Sequence, residues 1–243
     1  METLKPDSYN YPMGEKMSIE GMSPRKGEIA FVWFNPYSGV TLKTPTKTLL
    51  IDPAEIDPKN FRTVDAILVT HEHSDHCDPY VIKDIHKRTN CPVIADSTSV
   101  RKLKDIIPSN KLLEAPIGSE HRIDGIIIRA EPCKHPAATP VTYLITTEDN
   151  VKIYHSADSL PHPEMKQIGQ RNPPDIAFVT VGTPAPGASP RTGIEIVKML
   201  QPKAAVPYHA PTSELNRFAQ LLSQELPKVR CILIEQGKPY KYP

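Results

Sequence analysis

The chain has 243 residues, enough to bury one sizeable core, and a single domain is the default expectation. Apolar residues make up 39% and charged residues 23%, values that exclude disorder, collagen-like repeats and coiled coil as the main class. The 29 Lys and Arg nearly balance the 28 Asp and Glu, giving a formal net charge of +1, so no overall field attracts the chain to nucleic acid or an anionic membrane. No nucleic-acid partner is expected.

The sequence gives no sign of membrane insertion or secretion. No segment approaches the roughly 20 apolar residues that a membrane-spanning helix needs, and the first residues lack the apolar centre of a signal peptide. We therefore expect a cytoplasmic protein. Cys77, Cys91, Cys133 and Cys231 lack CxxC spacing, so we expect free thiols rather than disulfides or a thiolate zinc site.

The first half of the chain predicts strands followed by helices. Residues 1–25 are polar and aperiodic and predict a loose arm on a single domain spanning 1–243. A helix is predicted to begin after Asp78, which can cap it, because Pro79 suits the first helical position; a second helix follows Ser97. Strands are predicted at residues 29–34, 39–43, 48–52 and 66–70.

The second half repeats this order. Ser189 is predicted to cap a helix that has Pro190 at its first position, and a further helix is predicted at residues 214–226. Two groups of strands, each followed by helices, predict a layered α/β or α+β fold. Strand-like runs lie at residues 111–115, 125–131, 141–146 and 151–155, which predict a β-meander, and at 176–181, 204–207 and 231–235.

The segment LVTHEHSDH at residues 68–76 predicts a metal site. A strand of buried type leads directly into His71, His73, Asp75 and His76. Neutral imidazole and carboxylate are ligands that suit zinc and, with more carboxylate, manganese or iron. His71 and His73 can point toward one ion, while Asp75 and His76 can reach a second.

This HxHxDH loop after a strand resembles the hallmark of the metallo-β-lactamase superfamily. The superfamily pattern continues with a separate His, an Asp after a strand and a His near the C-terminal end, and His135, Asp158 and His209 match it in that order. The resemblance covers about residues 29–235. It implies an α+β fold, the four-layer αββα sandwich in which two β-sheets are flanked by helices.

The resemblance also implies a dinuclear metal-dependent hydrolase. It implies two divalent ions, with Zn as the first choice, Mn next and Fe last. A hydroxide bridging the ions would attack carbonyl carbon or phosphorus, and Asp75 would orient it and accept its proton. The implied ligands are His71, His73 and His135 for one ion, Asp75, His76 and His209 for the second, and Asp158 bridging both.

Three shorter stretches, residues 48–53, 143–147 and 154–158, resemble the branch of small metal-dependent hydrolases that includes ascorbate-6-phosphate lactonases. That resemblance implies a small-molecule substrate, namely an anionic ester, lactone or phosphodiester. The chain departs from the branch at residues 33–38, where a Gly-His pair is usual. It also has Ala157 and Ser159 around Asp158 in place of Gly and Thr. Alanine is acceptable at that position if its φ is an ordinary negative one.

Two other functions fit the same motif. One is a mononuclear iron oxidoreductase of the persulfide dioxygenase type, whereas the flavodiiron type is contradicted by His73. The other is an RNA-processing nuclease, which ranks third because the chain has no sizeable insertion and no basic stretch interleaved with aromatic residues. Neither the substrate nor the oligomeric state is predicted further.

Several side chains outside the motif are weaker candidates. His162 and Lys134 are candidates for substrate binding because they neighbour Asp158 and His135 in the sequence. His155 either orients a ligand or is an ordinary strand histidine. His86 and His121 lie among charged residues and are expected on the surface.

Overall fold

The computed structural model describes residues 19–243. Most of the predicted arm, residues 1–18, lies outside the described residues. The rest of it is held against the body of the protein, because Ile19 is buried and the Lys43 ammonium donates to the carbonyl of Glu20 at 2.9 Å. The prediction of a loose arm is therefore wrong for residues 19 and 20.

The described residues form two sheets of seven strands each, with the orders β14-β1-β2-β3-β4-β5-β6 and β13-β12-β11-β10-β9-β8-β7. The strands are β1 (Ile29–Trp33), β2 (Val40–Lys43), β3 (Thr48–Ile51), β4 (Ala66–Val69), β5 (Val93–Ala95), β6 (Leu112–Glu114), β7 (Glu120–Ile123), β8 (Ile126–Pro132), β9 (Val141–Thr146), β10 (Lys152–His155), β11 (Ile176–Thr180), β12 (Ala204–Tyr208), β13 (Arg230–Cys231) and β14 (Pro239–Tyr242).

Five α-helices flank the two sheets in the described part of the chain: α1 (Pro79–Thr89), α2 (Ser97–Leu103), α3 (Pro163–Arg171), α4 (Pro190–Leu200) and α5 (Thr212–Glu225). Apolar residues of α1 and α2 pack with one face of the first sheet, and those of α3, α4 and α5 belong to the core of the second sheet. The layers are therefore helix, sheet, sheet and helix, the predicted αββα sandwich. None of the described helices combines the length and the apolar character that crossing a membrane requires.

Strand alternation explains how the first sheet contributes to two apolar cores. In β1, Phe31 lies in the core shared with the second sheet, whereas Ala30 and Val32 pack in the core with α1 and α2. The Phe31 ring meets the ring of Phe178 on β11 edge to face, with centroids 5.0 Å apart. The two sheets are thus in direct contact, and the chain can place ligands from both at one end.

Helix capping follows the sequence at two helices. The Asp78 carboxylate accepts hydrogen bonds from the backbone of Tyr80 and Val81 at the start of α1. Ser189 and Thr192 form a reciprocal capping box at the start of α4. Both predicted helix starts are confirmed. In each helix the first residue is proline, which suits that position because its nitrogen needs no hydrogen-bond partner there.

The observed elements differ from the prediction in three respects. Residues 111–115 do not belong to the meander, because β6 pairs in parallel with β5 in the first sheet. The predicted strand at 231–235 is reduced to β13, Arg230–Cys231. The sequence prediction omitted β5, β7, α3 and β14.

The topology gathers one set of loops at one end of the sandwich. Strands β3 and β4 are parallel neighbours in the first sheet, and β10, β11 and β12 are parallel neighbours in the second. Their carboxyl ends therefore lie on a common edge in each sheet. The candidate ligands lie in the segments that follow β4, β8, β10 and β12.

Candidate metal centre

The loop after β4 is a tight turn that presents three histidines. The backbone N–H groups of His76 and Cys77 both donate to the carbonyl of His73, at 3.0 and 2.8 Å. His71 and His76 are fully buried, while His73 and Asp75 are partly exposed. The turn therefore directs four side chains from one short segment toward the same region.

The second sheet supplies the other three candidates. His135 lies in the loop after β8, Asp158 in the turn after β10, and His209 directly after β12. His209 has a φ of 57°, and Ala157 has a φ of 47°. Ala157 therefore does not meet the condition of an ordinary negative φ: the turn that presents Asp158 requires the left-handed conformation that glycine adopts most easily.

The seven side chains form three overlapping triads. In each triad one ligand atom from every member lies within 4.8 Å of those of the other two. The first and third triads share no residue, and the second joins them through His71 and His76. The triads are His71, His73 and His135; His71, His76 and Asp158; and Asp75, His76 and His209.

Several nitrogen and oxygen atoms in this cluster are buried without a hydrogen-bond partner. They are Nε2 of His71, Nε2 of His76, Nδ1 of His135, Oδ1 of Asp158 and both ring nitrogens of His209. The His76 and His209 Nε2 atoms lie 3.3 and 3.2 Å from carboxylate oxygens of Asp158, so the atoms converge without pairing. Leaving such groups unpaired is costly, and a bound cation satisfies imidazole nitrogens and carboxylate oxygens together. The donor set therefore fits a metal ion.

The protonation states of His71, His209 and Asp158 also fit metal binding. Burial lowers the pKa of His71 well below its usual value and lowers that of His209, so both imidazoles are neutral and able to ligate at neutral pH. Burial alone would raise the pKa of Asp158, but His76 and His209 lower it far below its usual value. Asp158 is therefore ionised.

Asp52 organises a hydrogen-bond network behind the cluster. Its Oδ2 atom accepts from the hydroxyl of Ser38 at 2.5 Å and from that of Thr70 at 2.7 Å, and lies 2.9 Å from Nδ1 of His76. Its Oδ1 atom accepts from the backbone N–H of Thr70 at 2.8 Å. The Thr70 hydroxyl in turn lies 3.1 Å from Nδ1 of His71. This network leaves the Nε2 atoms of both histidines facing the other candidate ligands.

The beta-lactamase superfamily domain model matches residues 32–210 of this chain. The chain belongs to the metallo-β-lactamase superfamily. A UPF0173 protein of Pyrococcus abyssi is 30% identical over 214 residues, covering 86% of this chain and 97% of that protein. A UPF0173 metal-dependent hydrolase of Thermoplasma acidophilum is 31% identical over 189 residues, covering 70% of this chain and 79% of that protein.

Solved structures of similar proteins confirm the fold of this chain. Igni18, a metallo hydrolase from Ignicoccus hospitalis, has a TM-score of 0.76 at 21% identity, covering 89% of this chain and 99% of that chain. The metallo-beta-lactamase fold protein YhfI from Bacillus subtilis has a TM-score of 0.70 at 13% identity, covering 88% and 99%. The chain is thus an enzyme of the metal-dependent hydrolase class with the αββα fold.

The sequence does not predict the hydrogen-bond network of Ser38, Thr70 and Asp52. The one available signal is the Ile-Asp-Pro segment at the end of β3, which belongs to the branch resemblance. For His155 the sequence allows two roles, orienting a ligand or an ordinary strand histidine. In the structure it is buried, its Nε2 lies 2.9 Å from the Ser38 carbonyl, and its Nδ1 accepts from the N–H of Ala157 at 3.3 Å. It therefore links the turn before Asp158 to the loop that contacts Asp52.

The remaining candidates lie in different surroundings. Lys134 is exposed, and its backbone N–H donates to the Ser159 hydroxyl at 2.9 Å. His162 is buried at the start of α3, with Nδ1 3.0 Å from a carboxylate oxygen of Glu164. A role in substrate binding stays a prediction for both Lys134 and His162.

The structure gives clear outcomes for one cysteine and two histidines. Cys77 is buried, and burial raises the pKa of its thiol to about 12, as befits a packed residue rather than a ligand. His86 is buried instead of lying on the surface, because its Nδ1 lies 2.8 Å from the carbonyl of Cys91 after the end of α1. His121 is partly exposed, as expected.

Proposed function

We propose that this enzyme holds two divalent metal ions and hydrolyses a small anionic ester, lactone or phosphodiester. The observation that supports two ions is the arrangement of the triads: the first and third have no common member, while Asp158 lies in the triad between them. The proposed ligands are His71, His73 and His135 for one ion, Asp75, His76 and His209 for the other, and Asp158 for both.

When bound, such ions supply the Lewis acidity that lowers the pKa of a water molecule and stabilises the negative charge developing on the substrate. The protein supplies the orientation of the groups around them. Asp52 and Thr70 fix the rings of His76 and His71 from behind, so the two imidazoles keep one orientation throughout the reaction. We propose Zn as the metal, with Mn second.

Asp75 is the proposed proton acceptor. Its side chain is 29% exposed, whereas those of His76 and Asp158 are 0% and 4% exposed. Its Oδ2 atom lies 3.7 Å from Nε2 of His76, at the margin of the cluster. This carboxylate can therefore take a proton from the attacking water and release it to solvent, which the buried Asp158 cannot do as readily.

The charge of the site favours an anionic substrate. Only Asp75 and Asp158 among the seven proposed ligands are carboxylates, and the other five are imidazoles. Two carboxylates leave two divalent cations incompletely neutralised, and the residual positive charge attracts an anion and stabilises the charge that forms during hydrolysis. The branch resemblance at residues 48–53 points to the same substrate class.

The proposal is tested by assaying the Zn-loaded and Mn-loaded protein against panels of lactones, phosphodiesters and acyl esters. His71→Ala and Asp158→Ala should abolish any turnover that the wild type shows and should lower the bound metal. His121→Ala, which changes a partly exposed histidine outside the cluster, is the matched control and should behave as wild type. Undiminished turnover in His71→Ala or Asp158→Ala would overturn the proposed centre.

A further inference from the structure

We propose that Glu72 is a positioning residue that fixes His135 relative to His71 and His73. Glu72 lies between two proposed ligands in the sequence but belongs to none of the three triads. The inference rests on the proposed function, because it concerns the ion assigned to His71, His73 and His135. It adds a residue whose side chain contacts no reacting atom.

His135 depends on its loop for its position. It is partly exposed, its Nε2 lies 3.2 Å from Nδ1 of His73, and its Nδ1 is buried without a partner. His71 and His76, by contrast, each have a hydrogen-bond neighbour at Nδ1 within the Asp52 network. Whatever holds the backbone around residues 135–138 therefore sets where the His135 ring lies.

Glu72 provides a side-chain contact from the β4 loop to that backbone. Its Oε1 atom accepts from the N–H of Ala138 at 2.8 Å. The Ala137 N–H donates to the carbonyl of His135 at 2.9 Å, so residues 135–138 form a compact turn that Glu72 holds at its far end. The Lys102 ammonium from α2 donates to the carbonyl of Glu72 and secures the residue itself. One carboxylate thus connects the two loops that carry the first triad.

The ends of the His135 loop have other anchors. At one end, the backbone N–H of Lys134 donates to the Ser159 hydroxyl. At the other, the Thr139 hydroxyl donates to Asp96 at 2.5 Å, and the Val141 N–H donates to the Thr70 carbonyl at 2.9 Å. Removing the Glu72 carboxylate therefore leaves both ends attached and releases only the turn between them. The expected effect is local to the first triad.

This role is tested by measuring metal affinity: chelator-treated protein is titrated with Zn²⁺ in competition with a chromophoric chelator. Glu72→Ala should weaken one of the two binding steps by about 10–100-fold, the usual range for losing a group that orients a ligand, and leave the other unchanged. Glu72→Gln keeps an oxygen that can accept from Ala138 and should restore wild-type binding. Glu114→Ala, an exposed glutamate on β6, is the matched control.

Hydrogen exchange of the metal-free protein gives a second readout that requires no ion. Glu72→Ala should speed exchange at the Ala138 amide by about tenfold, as expected for losing one hydrogen bond to a charged group, while Glu72→Gln and Glu114→Ala should not. Two results for Glu72→Ala would overturn the positioning role even if the wild type binds two ions. One is that neither the Ala138 exchange rate nor the metal affinities change, and the other is that both binding steps weaken equally. Wild-type protein that binds no ion would instead overturn the proposed function.

Discussion

Nδ1 of His76 lies 2.9 Å from Oδ2 of Asp52, and both side chains are fully buried. Because a carboxylate only accepts hydrogen bonds, the imidazole donates from Nδ1 and its Nε2 faces the other candidate ligands. Burial alone would lower the pKa of His76, but the carboxylates of Asp158 and Asp52 raise it well above its usual value. Asp52 therefore fixes the ring and strengthens its nitrogen as a metal ligand.

Asp52→Asn should weaken metal binding by about 10–100-fold, as is usual when a group behind a ligand is replaced. The amide would place an NH₂ group against donors that the carboxylate now satisfies, namely Ser38, Thr70 and His76. Competition with a chromophoric chelator measures the change. Asp84→Asn, on the exposed side of α1, is the control, and equal affinities in the Asp52 variant and the wild type would contradict the role.

The left-handed backbone at Ala157 gives a stability prediction. With φ at 47°, a β-branched side chain is strongly disfavoured, whereas glycine fits without strain. Ala157→Val should lower the free energy of unfolding by about 2 kcal/mol or more, and Ala157→Gly should change it by less than about 1 kcal/mol, because relief of strain offsets the lost methyl burial. Urea unfolding of the metal-free protein measures both; equal stabilities for the Val and Gly variants would contradict the strained turn.

The metal-free protein should lose stability on mild acidification. Burial lowers the pKa values of four histidines, His71, His135, His155 and His209. Each therefore contributes stability above the unfolded pKa of about 6.5 that is lost as the pH falls. The raised pKa of His76 acts in the opposite direction, and that contribution is present below the unfolded value and lost as the pH rises. Four groups outweigh one in the range below neutrality.

Between about pH 7 and about pH 5.5, the free energy of unfolding should therefore fall by about 2 kcal/mol or more. Chemical denaturation of chelator-treated protein across that range measures the slope. His155→Gln removes one of the four groups without removing a proposed ligand, so its slope should be shallower. A stability that is constant or rises on acidification would show that these histidines are not held neutral.

The sequence was informative where a signal is local. The HxHxDH segment is contiguous, so one turn is enough to bring its side chains together. The starts of α1 and α4 are predicted by a capping residue, Asp78 or Ser189, followed by proline. In contrast, the N-cap of α3 is His162, which makes no side-chain capping hydrogen bond, and the sequence does not predict this helix. Strands β13 and β14 lie at the edges of their sheets, where a single neighbouring strand determines how far the pairing extends. The predicted strand at residues 231–235 is therefore longer than β13, and β14 is not predicted.

The rest of the site depends on contacts between distant segments. His135, Asp158 and His209 were recognised through the superfamily resemblance, because spacing alone does not show that the ends of β8, β10 and β12 meet. The role of Asp52 follows from the parallel pairing of β3 with β4, which brings it beside Thr70. The contact of Glu72 with Ala138 depends on how two loops pack, which no sequence pattern encodes.

The central claim, two metal ions held by the overlapping triads, is tested most directly by elemental analysis of protein purified without added metal or chelator. The account predicts close to two Zn or Mn per chain in the wild type and a clear loss in Asp158→Ala, since that carboxylate lies in the triad that joins the other two. About one Fe per chain, or a full metal content retained in Asp158→Ala, would contradict it.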